Sequence, residues 1–296
     1  MTDMTPRDVF TSLTAIALST KRITLGAGIA SAYWRTPAVT ASAISLIDEL
    51  SVGRAKLALG TGMQNWTEQM GFDFRRPATT VKEHLQIVRQ LLQGRKVTYT
   101  GQVYNYKDYK LEFAPVRAEI PILVGGMGPK LARLAGELAD GLLLGAITHP
   151  RTIRETKEVL TKSAEVNGRG SHKMELGALM LTFVSEDGTE AKKLARQRLA
   201  QYVPAEHYQR LLPRMGFGKE ATMIRLAFEQ GDLEGATKFV SDAMVENLCV
   251  AGTPEECEQK ISDRVSAGLT MPILYNDMSG RNSKARYEMV LKAFGG

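Results

Sequence analysis

Cysteine is almost missing. Cys249 and Cys257 are the only thiols among 296 residues, and both lie in one C-terminal segment. That rules out a disulfide framework and fits a reducing compartment, the cytoplasm. Histidine is scarce too. His84, His149, His172 and His207 lie far apart and form neither HExxH nor an HxH pair, so no metal centre is expected. No apolar run is long enough to cross a bilayer, so no membrane association is expected. The stretch VFTSLTAIALS (Val9–Ser19) has the apolar character of a signal-peptide core. It lacks a basic segment before it and its polar residues recur at helical spacing, so it reads as a helix. A GxSxG nucleophile elbow is absent. So is a GxGxxG after an early strand with its distant acid, which disfavours a dinucleotide-binding fold. There is no internal repeat and no low-complexity tract.

Charge of one sign is also weak. The formal net charge is +6, and basic residues are scattered except in KKLARQR (Lys192–Arg198), with acidic SEDGTE (Ser185–Glu190) just upstream. That pattern reads as a solvated helix face rather than a nucleic-acid stripe. The modest basic excess also suits an anionic cofactor or substrate.

What is present is alternation. Short apolar segments begin near residues 22, 55, 121, 141, 174 and 271, and amphipathic segments separate them. Strands alternating with helices mean βα units and a parallel sheet, either an open doubly wound sheet or an eight-stranded barrel. TPAVTASAISLIDELS (Thr36–Ser51) reads as a helix with Thr36 as cap and Pro37 in its first turn. TTVKEHLQIVRQLLQG (Thr79–Gly94) is another, with Val81, Leu85, Val88 and Leu92 on its apolar face and Gly94 as stop. Lys96–Phe113 alternates and turns like a β-hairpin excursion, and its Tyr99, Tyr104, Tyr106 and Tyr109 suggest cross-strand pairing, with substrate contact as the lesser alternative. Residues 188–247 read as wholly helical.

Four predicted strands end in small residues: Gly26 and Gly28; Gly60, Thr61 and Gly62; Gly125, Gly126 and Gly128; and Gly145. In a parallel α/β protein these ends share one face, where ligands bind. Glycine there lets backbone approach a ligand and expose its N–H groups. In PILVGGMGPK (Pro121–Lys130) the glycines run into a predicted helix start, where free amides, the helix dipole and Lys130 suit an anionic group. Tight βα turns without a ligand are the alternative reading of the same glycines.

Two blocks, RITLGAGI with YWRTPAVTASAISLIDELSVGRAKLALGTG, and PILVGGMGPKLARLAGELADGLLLG, resemble the bacterial luciferase-like family. The resemblance is nearest to its deazaflavin-dependent branch, which includes methylenetetrahydromethanopterin reductase, and runs from about Arg7 to Ile273. It implies a single luciferase-like TIM (β/α)8 barrel domain over residues 1–296, with insertions near 96–113 and 188–247. It implies coenzyme F420, or FMN in other branches, at the C-terminal ends of the strands. The family commonly has a non-proline cis peptide under the ring, here at Gly28-Ile29. Gly60, Thr61, Gly62 and Asn65 match the loop lining the ring and side chain. Gly125, Gly126, Gly128 and Lys130 match the loop near the phosphate. The implied chemistry is hydride transfer between the deazaflavin and a small organic substrate by a homodimer. The alternatives are an FMN-dependent monooxygenase and, from another class, a non-catalytic remnant or interaction subunit.

The resemblance has one departure. The first clear strand matches the third of the family's barrel, so the first two strands are missing from the expected eight. With them go the acidic or His residues that the family tends to carry near the ring, and no catalytic residue is assigned. A start placed too late, a degenerate copy, or a partner chain that completes the sheet would each account for it. Glu137 and Asp140, in GELADG, are candidate general acids, with helix-to-strand turn chemistry as the plainer reading. Trp34 is equally a ring neighbour or a core anchor.

Overall fold

The computed structural model describes residues 8–276 and 283–295. The chain divides into two units, Met1–Leu143 with Glu158–Glu175, and Leu144–Lys157 with Leu176–Gly296.

The first unit opens with α1 (Val9–Ser19), the helix expected there, and Asp8 caps it by accepting the Thr11 amide at 2.7 Å. β1 (Leu25–Ser31) begins later and runs further than the sequence suggests. α2 (Pro37–Leu50) has the expected Thr36 cap and first-turn Pro37. β2 (Ala55–Gly60) leads through a short α3 (Gln64–Gln69), unanticipated from the sequence, to α4 (Pro77–Leu92). The apolar face of α4 is as read: Val81, Leu85, Val88 and Leu92 are buried, and truncating one such leucine costs about 2–5 kcal/mol. The expected hairpin is β3 (Val97–Thr100) paired antiparallel with β4 (Asn105–Tyr109). Then come β5 (Ile122–Gly125), α5 (Pro129–Leu138) and β6 (Gly141–Leu144), which ends at the unit boundary.

The strands of this unit pair in parallel in the order β1-β2-β5-β6. Every residue of β5 and β6 is buried, as are Leu57, Ala58, Leu59 and Gly60 of β2. Strands covered on both faces cannot alternate polar with apolar residues, which is why they read as continuous apolar runs. The opposite, N-terminal ends of the strands are held by charge. Asp48, 1% exposed, takes a two-point bond from Arg117 at 2.9 and 2.6 Å and also accepts the Ala55 amide at 3.1 Å. Arg54 donates to the carbonyls of Thr20 and Ile23 after α1, at 2.8 and 2.7 Å. Asp140 accepts from Arg89 at 2.9 Å, from Arg169 at 3.3 Å and from the Ile122 amide at 2.8 Å. Glu137 pairs with Lys82 at 3.1 Å. Both carboxylates therefore do turn and helix-end work.

Helix α6 (Pro150–Val166) begins in the second unit and ends in the first. The second unit contains β7 (Glu175–Val184), α7 (Thr189–Tyr202), α8 (Glu206–Leu211), α9 (Gly218–Glu229), α10 (Leu233–Lys238) and α11 (Asp242–Leu248). β8 (Val250–Gly252), α12 (Pro254–Ser266), β9 (Met271–Tyr275) and α13 (Ser283–Phe294) follow. β7 pairs in parallel with β9 along Gly177–Leu181 and with β8 along Thr182–Val184. The six strands anticipated from the sequence are all present. β8 is additional, and three residues are too few to show a period. α12 starts with a full capping box, Thr253 with Glu256. Cys249 and Cys257 are both free and buried, and burial pushes their thiols up to about 12 and about 11. Among the described residues no group of His, Cys, Asp and Glu could hold a metal, and no helix is long and apolar enough to cross a membrane.

Candidate functional site

The cofactor-loop residues implied by the resemblance all fall in the first unit, within β1 or at and beyond the C-terminal ends of β2 and β5, whereas Gly145, the fourth glycine end, lies beyond β6 in the second unit. β1, β2 and β5 are neighbours, so the sheet gathers the three loops at one edge. The peptide Gly28-Ile29 is cis, as the resemblance implies. The pairing of β1 with β2 slips at that point: Gly28 opposes Ala58, Ala30 opposes Leu59, and Ile29 is the unpaired residue between. Such a bulge re-aims a side chain. Ile29 reaches across to β2 and β5. A methyl group added at Gly60 would lie 2.6 Å from Ile29 Cγ2 and 2.5 Å from the Gly125 carbonyl oxygen. One added at Gly125 would lie 2.5 Å from Ile29 Cγ1. The glycines read from the sequence as room for a ligand are, at these two positions, first of all room for Ile29.

Gly128 is different. A methyl group there would meet nothing within 4 Å, and the backbone sits at φ +102°, a conformation that side-chain-bearing residues rarely adopt. It precedes Pro129, the first residue of α5, so the first amides of the helix have no carbonyl behind them. Lys130 is exposed and makes no ion pair among the described residues. Free amides, a helix dipole and an unpaired ammonium favour an anion at this corner.

The β2 loop is tied to the end of β1. The Ala32 amide donates to the Gly60 carbonyl at 2.8 Å, and Ser31 Oγ donates to the Thr61 carbonyl at 3.3 Å. Trp34 Nε1 donates to Thr67 Oγ1 at 3.1 Å. Gly62, at φ +68°, packs against Ser31 and Trp34. Trp34 is thus half-buried, packed beside the candidate loop. Asn65 is exposed on α3. A small cavity in the second unit, lined by Thr182, Phe183, Asn276, Arg286 and Val290 among others, contains none of the sequence-derived site residues.

A luciferase-like monooxygenase family model matches residues 1–271. The chain belongs to the luciferase-like monooxygenase family. Among its relatives, the 5,10-methylenetetrahydromethanopterin reductase of Archaeoglobus fulgidus is 34% identical over 90% of this chain and 81% of that protein. The enzyme of the same name from Methanolobus tindarius is 33% identical over 94% and 85%. The structure of the coenzyme F420 dependent tetrahydromethanopterin reductase from Methanopyrus kandleri superposes with a TM-score of 0.85, at 26% identity, over 96% of this chain and 86% of that one. The fold is therefore the luciferase-like class of TIM barrel.

Against that family frame, one group of residues escaped sequence reasoning. Glu83 and His84 lie on the apolar face of α4 and are 5% and 0% exposed. Glu83 accepts the amides of Gln102, Val103 and Tyr104 at 2.7, 3.0 and 3.0 Å. Burial raises its pKa, but those three donors with Arg76 outweigh burial and hold it below the usual carboxylate value. His84 touches Thr40 and Tyr104 at 3.1 and 3.3 Å, and burial lowers its pKa to about 3. The hairpin tyrosines also divide differently from the sequence reading. Tyr99 opposes Tyr106 across the ladder, Tyr109 opposes Val97, and Tyr104 leaves the ladder to donate to the Ala32 carbonyl at 2.6 Å. The available signal was two polar residues, Glu83 and His84, set among core positions of an otherwise apolar stripe. Buried polar groups require partners.

Proposed function

We propose that this protein is an oxidoreductase that moves a hydride between coenzyme F420 and a small organic substrate, with methylenetetrahydromethanopterin reductase as the model of its reaction class. The supporting observation is the corner at Gly128: open space above the backbone, helix-start amides and an unpaired Lys130, beside two further loops of neighbouring parallel strands. The residues present fit an anionic, ring-bearing cofactor, because Gly128 leaves the approach clear and Lys130 supplies the countercharge. Relatives at 33–34% identity carry the reductase name, and the structural neighbour is F420-dependent, which favours the deazaflavin over FMN.

When bound, the deazaflavin supplies the carbon that accepts or delivers hydride. Everything else falls to the chain. In this reading Gly28, Ile29, Gly60, Thr61, Gly62 and Asn65 line the ring and its side chain, while Gly125, Gly126, Gly128 and Lys130 hold the anionic part. Ile29 offers a half-buried apolar surface where water would otherwise stand. Fixing two reactants in register and excluding solvent is the main source of rate in such a transfer. The same reading takes the protein to act in the cytoplasm as a homodimer on a small molecule, with no nucleic-acid partner.

Fluorescence titration of the purified protein with F420 and, separately, with FMN tests the cofactor. Saturable F420 binding is the expected result; tight FMN binding with none of F420 overturns the reading. Turnover of F420 with methylenetetrahydromethanopterin then tests the substrate class, and binding without any turnover favours the non-catalytic alternative. Size-exclusion chromatography tests the dimer.

A further inference from the structure

Ala32 is fully buried three residues beyond the bulged Ile29, and its peptide groups are held on both sides. Its amide donates to the Gly60 carbonyl at 2.8 Å, and its carbonyl accepts from Tyr104 Oη at 2.6 Å. A tyrosine hydroxyl has one proton, and at that distance it is committed to Ala32. The hydroxyl oxygen is then an acceptor for His84 Nδ1 at 3.3 Å. That places the proton of the neutral ring on Nδ1 and leaves Nε2 to accept from Thr40 Oγ1 at 3.1 Å. The line of donors has one direction: Thr40 to His84, His84 to Tyr104, Tyr104 to Ala32. Burial keeps the imidazole neutral and the phenol protonated, so the direction does not reverse near neutral pH.

Three elements meet in this line: Thr40 is on α2, His84 on α4 and Tyr104 on the hairpin. It ends on Ala32, whose amide ties the chain just beyond β1 to the Gly60 end of β2. We infer that Tyr104, backed by His84 and Thr40, is a positioning residue that sets the end of β1, and through Ala32 and Gly60 sets the cofactor loop Gly60–Gly62. The hairpin is then a buttress of the site. This inference rests on the F420 reading of those loops.

The experiment compares two tyrosines of the same hairpin. Tyr99 Oη donates to Gln86 on α4 at 2.8 Å, away from Ala32. Tyr104→Phe deletes one hydroxyl with its bonds to Ala32 and His84, and Tyr99→Phe deletes one hydroxyl with its bond to Gln86. F420 affinity is read by fluorescence titration, and amide hydrogen exchange is followed over Ser31–Trp34 and Thr61–Met63 without cofactor. Tyr104→Phe is expected to weaken F420 binding about ten-fold, the scale of the lost bond to Ala32, and Tyr99→Phe less than about two-fold. Exchange over both segments should accelerate in Tyr104→Phe alone. Should Tyr104→Phe fail to fold, Thr40→Val removes the first donor without touching the hairpin and should weaken F420 binding by about three-fold. Equal affinity in Tyr104→Phe and Tyr99→Phe, or unchanged exchange at Ser31–Trp34, overturns the inference and leaves the cofactor assignment standing. Unchanged affinity in Thr40→Val, where that variant is needed, does the same. Failure of the unsubstituted protein to bind F420 removes both.

Discussion

After β2 the chain passes through Thr61, Gly62 and Met63 with the end of β1 and the residues after it fastened across: Ser31 Oγ to Thr61, Trp34 to Thr67 of α3, and the Ala32 amide to Gly60. After β5 it passes through Gly126, Met127 and Gly128 with one cross-strand backbone bond, Gly126 amide to Leu143 carbonyl at 2.9 Å. Both turns were read from the sequence as the same thing, glycine-rich strand ends. The first is packed throughout, Gly60 making way for Ile29 and Gly62 lying against Ser31 and Trp34. The second is filled at its start, where Gly125 faces Ile29 and Gly126 faces Leu131, and open at its end, where a methyl group at Gly128 would meet nothing within 4 Å. Glycine content alone cannot tell these cases apart, since a side chain of the protein and a ligand both require the Cβ to be missing.

Acid should separate the two edges most strongly. Folded His84 stays neutral to about pH 3, while the unfolded ring takes a proton near its ordinary 6.5. Between those values the unfolded state binds more protons, so stability falls as pH falls, by about 1 kcal/mol per unit below pH 6. His207, lowered to about 4 by burial, adds a parallel loss, so His84→Gln should flatten the decline only in part. Urea unfolding midpoints from pH 7 to pH 5 measure this, and an unchanged slope in His84→Gln would show that the packed edge does not carry a neutral buried imidazole.

The next effect is steric. Gly125→Ala places a methyl group against Ile29 and should cost about 1–3 kcal/mol, the usual range for overpacking. In an Ile29→Ala background the penalty should shrink markedly, a coupling of about 1 kcal/mol or more. Chemical denaturation of the four proteins in that cycle gives the number. Additive penalties would mean that Ile29 is not what the glycine accommodates.

Gly128→Ala meets no neighbour, so its cost is conformational only, about 1–3 kcal/mol for a side chain held where glycine alone is at ease. Removing Ile29 should leave that cost untouched, in contrast to Gly125→Ala. Smallest of all is Lys130→Ala: as an exposed residue it should shift stability by less than about 0.5 kcal/mol. It should nonetheless weaken F420 binding and reduce the dependence of that binding on salt, which titration at two ionic strengths reads directly.

Much of the first unit was legible in the chain itself. The apolar runs AKLAL and PILV read as covered parallel strands from their place between helices, and the Thr36-Pro37 start and the face Val81, Leu85, Val88, Leu92 fix their helices by local rules. β8 escaped because three residues show no period, and α3 because six residues between two loops give little more. In the candidate site, the positions of Gly60, Gly125, Gly128 and Lys130 were legible. Ile29 as the occupant of the space beside two of them was not, because its side chain crosses one strand to reach another.

Sequence alone determined the main alternation of strands and helices, the ends of α2, the stop of α4 and the loops in which bare backbone gathers, because these follow from side-chain period and from the dihedral limits of single residues. Only the tertiary structure decided which glycines are filled from within and which are open. It alone decided that Tyr104 reaches Ala32 from 72 residues away. Contacts of that length depend on how separate elements pack, and no local property of the residues involved encodes the distance between them.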